Sequence, residues 1–141
     1  MAYWLVKTEP GDYSLADLAS EGTTVWDGVK NALALKHMRR MQPGDEVLVY
    51  HSGRKPTVVG LAKVVTSTYE VEETGETVFD LAYQATFAVP IPLSAVKAEP
   101  RYGEWELVRL PRLSVMSVPP DIFVELRRVG EGGEGKGGDV N

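Results

Sequence analysis

The order in which the apolar pattern changes along the chain limits its fold more than any other feature. Tyr3-Trp4-Leu5-Val6-Lys7 is aromatic and β-branched enough for a buried strand, and it stops at the turn signal Glu9-Pro10-Gly11. Ser14 stands three residues before Asp17, so a capping box opens a short helix with Leu15 and Leu18 inward and Gly22 at its end. Thr23–Trp26 is a short extended piece closed by the Asp27-Gly28 turn. From Lys30 the spacing becomes helical, with Ala34, Met38 and Met41 on one face and Lys36, Arg39 and Arg40 on another, until Pro43-Gly44. Residues 47–51 and 58–65 then read as a hairpin-like pair of strands around the basic turn Ser52-Gly53-Arg54-Lys55-Pro56. A further strand fits residues 77–89, broken by Pro90 and Pro92, and residues 105–108 and 113–115 supply the last extended pieces. Pro119-Pro120-Asp121 opens a closing helix whose Ile122, Leu126 and Val129 fall at i, i+4 and i+7.

One strand, two helices, a majority of strands and a final helix imply an α+β fold around a strongly bent sheet or small β-barrel flanked by helices. Strands and helices do not alternate regularly, which argues against a Rossmann fold. Gly60 inside a strand run fits a bulge or a tight corner. At 141 residues and 43% hydrophobic composition the chain supports one core without disulfides or structural metal. Residues 1–129 read as that single domain. Residues 130–141, six of them glycine, read as a disordered, Gly-rich acidic tail.

Charge is uneven. The formal net charge of −5 argues against non-specific coating of nucleic acid. Residues 1–27 carry one base and five acids, residues 28–65 seven bases and two acids, and residues 66–141 seven bases and thirteen acids, so only the middle segment is electropositive. No window approaches the roughly 18 apolar residues of a membrane span, and no signal-peptide pattern is present, so the expected location is cytoplasmic, or nuclear in a eukaryote.

Several chemistries lack their residues. There is no cysteine for a thiol nucleophile or a zinc cluster, and His37 and His51, the two histidines, sit in no metal-ligand spacing. His51 and Ser52 are adjacent on a strand and point to opposite faces, which disfavours a Ser/His pair. No phosphate-cradling glycine loop follows a strand, so nucleotide cofactors are not expected. What remains is a set of aromatic and polar residues at element edges: Lys7-Thr8-Glu9-Pro10, Trp26-Asp27-Gly28-Val29-Lys30-Asn31 and Tyr50-His51-Ser52. An indole beside a carboxylate and an amide suits a planar ligand, the ring stacking while the polar groups read its edge. The plainer alternative makes Trp26 core, Asp27-Gly28 an ordinary turn and Asn31 a helix cap. Trp4, within an alternating strand, reads as packing. Lys36, Arg39 and Arg40 fit a solvated helix face, or, grouped with Lys30, Arg54 and Lys55, a phosphate-contacting set.

Taken together, Tyr3-Trp4-Leu5-Val6-Lys7-Thr8-Glu9-Pro10, Tyr13-Ser14 with Asp17-Leu18, Trp26-Asp27-Gly28-Val29-Lys30-Asn31, Gly44-Asp45, Tyr50-His51-Ser52, Val59-Gly60 and Arg112-Leu113-Ser114-Val115 resemble the EVE domain family, from residue 3 to about residue 129. The resemblance implies a PUA-like β-barrel of about five to six strands, related to the YTH domain, and a reader of modified bases in DNA or RNA without catalytic activity, cofactor or metal. It implies a base-binding pocket of Trp26, Asp27, Gly28, Asn31, Lys7, Thr8, Glu9, His51 and Ser52, with Arg112, Leu113 and Ser114 as its far wall. The chain has Lys30 where the family usually has arginine, and Tyr69-Glu70-Val71-Glu72 where a Tyr-Pro-Asp-like segment is expected. Lysine keeps the charge but loses the bidentate fork. Two other function classes remain open from the residues alone: an enzyme using Asp27 or Glu9 as general base, and a protein-interaction module.

Overall fold

Aromatic and β-branched residues form strand β1 (Tyr3–Thr8), whose Trp4, Leu5 and Val6 are all buried, as in a strand covered on both faces. The computed structural model describes residues 1–133. β1 runs parallel to β3 (Glu46–His51) and antiparallel to β7 (Val115–Ser117). Two parallel neighbours need a crossover, and here it consists of α1 (Leu15–Glu21), β2 (Thr23–Trp26) and α2 (Ala32–Met38). β3 turns back into β4 (Thr57–Val64) as the expected hairpin. β4 pairs with β6 (Thr77–Pro92), which also takes β2 and the two-residue β5 (Tyr69–Glu70). The sheet order is β2-β6-β4-β3-β1-β7, and register shifts between Val49 and Tyr50, Val58 and Gly60, and Leu61 and Ala62 curl it. The remaining helices are α3 (Leu93–Lys97), a 3-10 turn at Pro100–Tyr102, α4 (Glu106–Arg109) and α5 (Pro120–Gly130).

Local chemistry accounts for most of these boundaries. The Ser14 hydroxyl accepts from the Asp17 N–H at 3.1 Å and the Asp17 carboxylate accepts from the Ser14 N–H at 2.9 Å, the reciprocal cap read from the sequence. Asn31 caps α2 by accepting from the Ala34 N–H at 3.0 Å, two residues later than the Lys30 start expected. Ala34 and Met38 are completely buried on α2, as the spacing describes, but the helix ends at Met38 rather than at Pro43-Gly44, so Met41, also completely buried, follows it instead of lying on its face. A Cβ at Gly60 would stand 2.4 Å from the Ala85 carbonyl oxygen and 2.5 Å from a Leu15 methyl, so glycine lets β6 and α1 close onto β4. Asp45 is 4% exposed yet accepts from Trp4 Nε1 at 2.9 Å, the Gln42 N–H at 2.9 Å and the Ala2 N–H at 3.3 Å. A buried carboxylate with three donors is satisfied, and it ties β1 to the turn before β3.

Three expectations need correction. Residues 105–108 form the N-cap and first turn of α4 rather than a strand: four apolar-rich residues do not distinguish the two, and burial of Trp105 with its Nε1 donating to the Ser117 carbonyl at 3.0 Å decides for the helix. β6 runs through Pro90 to Pro92, because beyond Ala82 β2 no longer pairs with it and its free side there requires no N–H. The helix α3 and the 3-10 turn were not legible in the sequence. At the C-terminus Gly130 is the last residue of α5 and is buried against Phe87, while residues 134–141, where most of the tail expectation falls, lie outside the described residues. Among the described residues, no helix is long and apolar enough to cross a membrane.

Candidate functional site

The parallel pairing of β1 and β3 sets Lys7 opposite Tyr50 and Thr8 opposite His51, so the C-terminal ends of two buried strands open side by side. Ligands commonly settle in the crevice outside such strand ends. The Ser52 N–H donates to the Thr8 carbonyl at 2.9 Å and the Lys7 N–H donates to the Ser114 carbonyl at 2.9 Å, which brings three separate sequence motifs to one place. They surround a cleft of about 390 Å³ lined by Lys7, Thr8, Glu9, Tyr50, Ser52, Gly53, Pro56, Leu93, Pro111, Arg112 and Ser114. Tyr50, Pro56 and Leu93 supply apolar wall, and the charged groups alternate in sign, a composition suited to a small polar and planar ligand.

Lys7 is half-buried, and its Nζ donates to the Pro111 carbonyl at 2.9 Å while standing 5.2 Å from the centre of the Tyr50 ring. Burial holds its ammonium below the ordinary lysine range and pushes the Tyr50 phenol up. Glu9 is exposed, with its carboxylate fixed by the Gly11 N–H at 2.6 Å. Gly53 has φ +105°, a backbone conformation that favours glycine, and a Cβ there would meet Glu9 Oε2 at 2.5 Å and push that carboxylate aside.

Two expected ligand contacts are occupied internally. The Thr8 hydroxyl donates to the Tyr13 carbonyl at 2.6 Å. His51 Nε2 accepts from the Leu15 N–H at 3.0 Å, which assigns the ring proton to Nδ1 and makes the imidazole a clasp between β3 and the first turn of α1. Burial lowers the His51 pKa, and the nearby Glu9 carboxylate opposes that shift. His51, Glu9 and Ser52 also line a second cleft of about 750 Å³ with Arg54, Lys55 and Val59, so Glu9 and Ser52 form a shared rim. A third, apolar cleft of about 380 Å³ takes Asn31, Leu33 and Leu113 and shares Pro111 and Arg112 with the first.

The structure keeps Trp26, Asp27 and Gly28 out of these linings. Trp26 is 7% exposed, packs in the core and meets Tyr13 edge-on, with ring centres 6.1 Å apart at 80°. The open indole expected at this position is therefore a core side chain, because β2 ends by pairing Trp26 with Phe79. Gly28 instead donates its N–H to the Glu76 carboxylate. Lys30 faces a separate cleft with Gly75 and Glu76, and Lys36, Arg39 and Arg40 are exposed on or just after α2, outside these linings. Tyr50, Pro56 and Leu93 were missed as wall residues; Tyr50 alone carried a signal, through its neighbours His51 and Ser52. Between α2 and α4, His37 Nε2 lies 3.0 Å from Glu106 Oε1.

Known structures share this fold. The chain superposes on a hypothetical protein from Leishmania major with a TM-score of 0.87 at 32% identity, covering 94% of this chain and 96% of that one. Rpa0253 from Rhodopseudomonas palustris gives 0.87 at 32% identity, with 95% and 96% covered. The human THYN1 protein in complex with 5-methylcytosine containing DNA gives 0.85 at 24% identity, with 95% and 100% covered, which identifies the curled sheet and its helices as the expected PUA-like fold. In sequence, thymocyte nuclear protein 1 of Rattus norvegicus is 39% identical over 79 residues, 48% of this chain, and that of Homo sapiens is 36% identical over 80 residues. The match covers only 35% and 36% of those two proteins. Residues 2–128 match the EVE domain, and the chain belongs to the EVE domain family.

Proposed function

We propose that this chain is a non-catalytic reader of modified nucleic-acid bases, holding one unstacked base in the cleft at the ends of β1 and β3. The observation that carries this reading is the convergence of Lys7 and Glu9, Ser52, and Arg112 and Ser114 on one cleft of about 390 Å³. It is supported by the shared fold with a protein crystallised in complex with 5-methylcytosine containing DNA. Lys7 as donor, Glu9 as acceptor and the Ser52 hydroxyl read the edge of the base, while Arg112, with Arg54 and Lys55 across the shared rim, holds flanking phosphates. Thr8 and His51 keep the strand ends in place.

Extruding a base costs a few kcal/mol, and because Tyr50 is buried with the Lys7 ammonium over its ring, that cost is offset by hydrogen bonds and phosphate contacts rather than by stacking on an open aromatic face. Burying one added methyl contributes about 0.8 kcal/mol, roughly fourfold in affinity, so a moderate preference for the modified base is expected. The test is a binding series with oligonucleotides that differ in a single base modification, repeated with Lys7→Gln. Salt-sensitive binding that prefers one modification and weakens with the variant supports the reading. Equal affinity for every oligonucleotide, or turnover of a free nucleotide, overturns it.

A further inference from the structure

The turn that joins β2 to α2 holds an anion that belongs to the protein itself. Gly28, in that turn and outside the helix, donates its N–H to the carboxylate of Glu76, which is carried on the loop between β5 and β6. The loop is self-contained: the Thr74 and Gly75 N–H groups donate to the Val71 carbonyl at 3.2 and 2.6 Å, the Val71 N–H donates to the Glu76 carbonyl at 2.9 Å, and the Glu76 N–H donates to the Thr74 hydroxyl at 3.1 Å. Glu76 is thereby presented at the turn by its own loop. Between loop and turn lies a cleft of about 550 Å³, lined by Val29, Lys30 and Leu35 on one side and residues 74–77 on the other. Lys30 is exposed on this cleft, and the backbone N–H two residues before it is occupied by the Glu76 carboxylate; a lysine and a backbone N–H are groups by which proteins hold a phosphate oxygen.

From this geometry we infer that the Gly28–Lys30 turn is a binding site for a nucleic-acid backbone phosphate and that Glu76 is its built-in competitor, which must leave before the phosphate can enter. The inference rests on the nucleic-acid reading above and adds its regulation. It also accounts for the acidic stretch at residues 69–76, which the fold does not require: Glu70, Glu72 and Glu73 are exposed. Like charges at this edge raise the cost of bringing a phosphate close, and salt screens that cost.

A charge-swap cycle tests it. Glu76→Gln keeps an acceptor for the Gly28 N–H but removes the charge, and is expected to tighten binding of a modified oligonucleotide about two- to fivefold at low salt, with the gain shrinking as salt rises. Lys30→Gln is expected to weaken binding and to abolish most of the gain when combined with Glu76→Gln. Glu72→Gln, on the same loop, is the control and should change affinity less. An unchanged affinity in Glu76→Gln, or an equal gain from Glu72→Gln, overturns the inference while leaving the reader function in place. Should no form of the protein bind any oligonucleotide, the function itself falls, and the site is still decided separately. The Gly28 amide resonance is followed while inorganic phosphate is added to wild type and to Glu76→Ala, each shown to be folded by circular dichroism. A shift in the variant at phosphate concentrations that leave the wild type unmoved supports the site, and no shift in the variant overturns it.

Discussion

Trp26 shows how a single ring changes its meaning with burial. At a strand end beside Asp27 and Asn31 it fits a stacking platform as well as a core residue, and only its 7% exposure separates the two. Removing a buried aromatic ring costs about 3–5 kcal/mol, because the lost transfer energy is joined by that of an unfilled cavity. Trp26→Ala is therefore expected to lose stability of that order in urea denaturation; a loss below about 1 kcal/mol would show that the ring does not support the core. Asp45 makes the opposite point. A carboxylate in a Gly-Asp turn looks like a solvent-facing residue, yet its three N–H donors make it the fastening of β1.

Among the elements, the contact between β3 and α1 depends on one neutral imidazole. His51 accepts from the Leu15 N–H only while Nε2 is unprotonated, and burial lowers its pKa from the ordinary 6.5. A group whose folded value is depressed contributes its full stability above the unfolded value and loses it as the pH falls through the folded one. The stability of the wild type relative to His51→Gln, which retains an acceptor but cannot titrate, should therefore decline as the pH drops below about 6.5. Thermal melts across that range check this, and a constant difference would remove the clasp. The helices and strands themselves were largely legible, since the capping box at Ser14, the apolar face of α2 and the hairpin of β3 and β4 depend on near neighbours. α4 was not, because its four residues carry no period.

For the molecule as a whole, a net charge of −5 conceals basic residues that the fold distributes rather than gathers. Arg54 and Lys55 reach the cleft rim through the β3–β4 turn, Lys30 faces the acidic loop, and Lys36, Arg39 and Arg40 stay out on the α2 side. Each phosphate contact contributes about one unit to the dependence of log affinity on log salt. Replacing Arg54 and Lys55 by alanine is thus expected to lower that slope by more than replacing Lys36, Arg39 and Arg40 together; the reverse order would place the phosphate track along α2. Most of the longer elements, the caps at Ser14 and Asn31 and the glycine at position 60 follow from the sequence alone, because they are set by neighbours a few residues apart and by backbone sterics. Which motifs meet was decided only in three dimensions. Parallel pairing of residues 3–8 with 46–51 brings Lys7 to Ser52, and β7 brings Ser114 to both, while the same folding seals Trp26 inside. Those encounters join residues about 40 to 100 positions apart, and no local period or propensity encodes them.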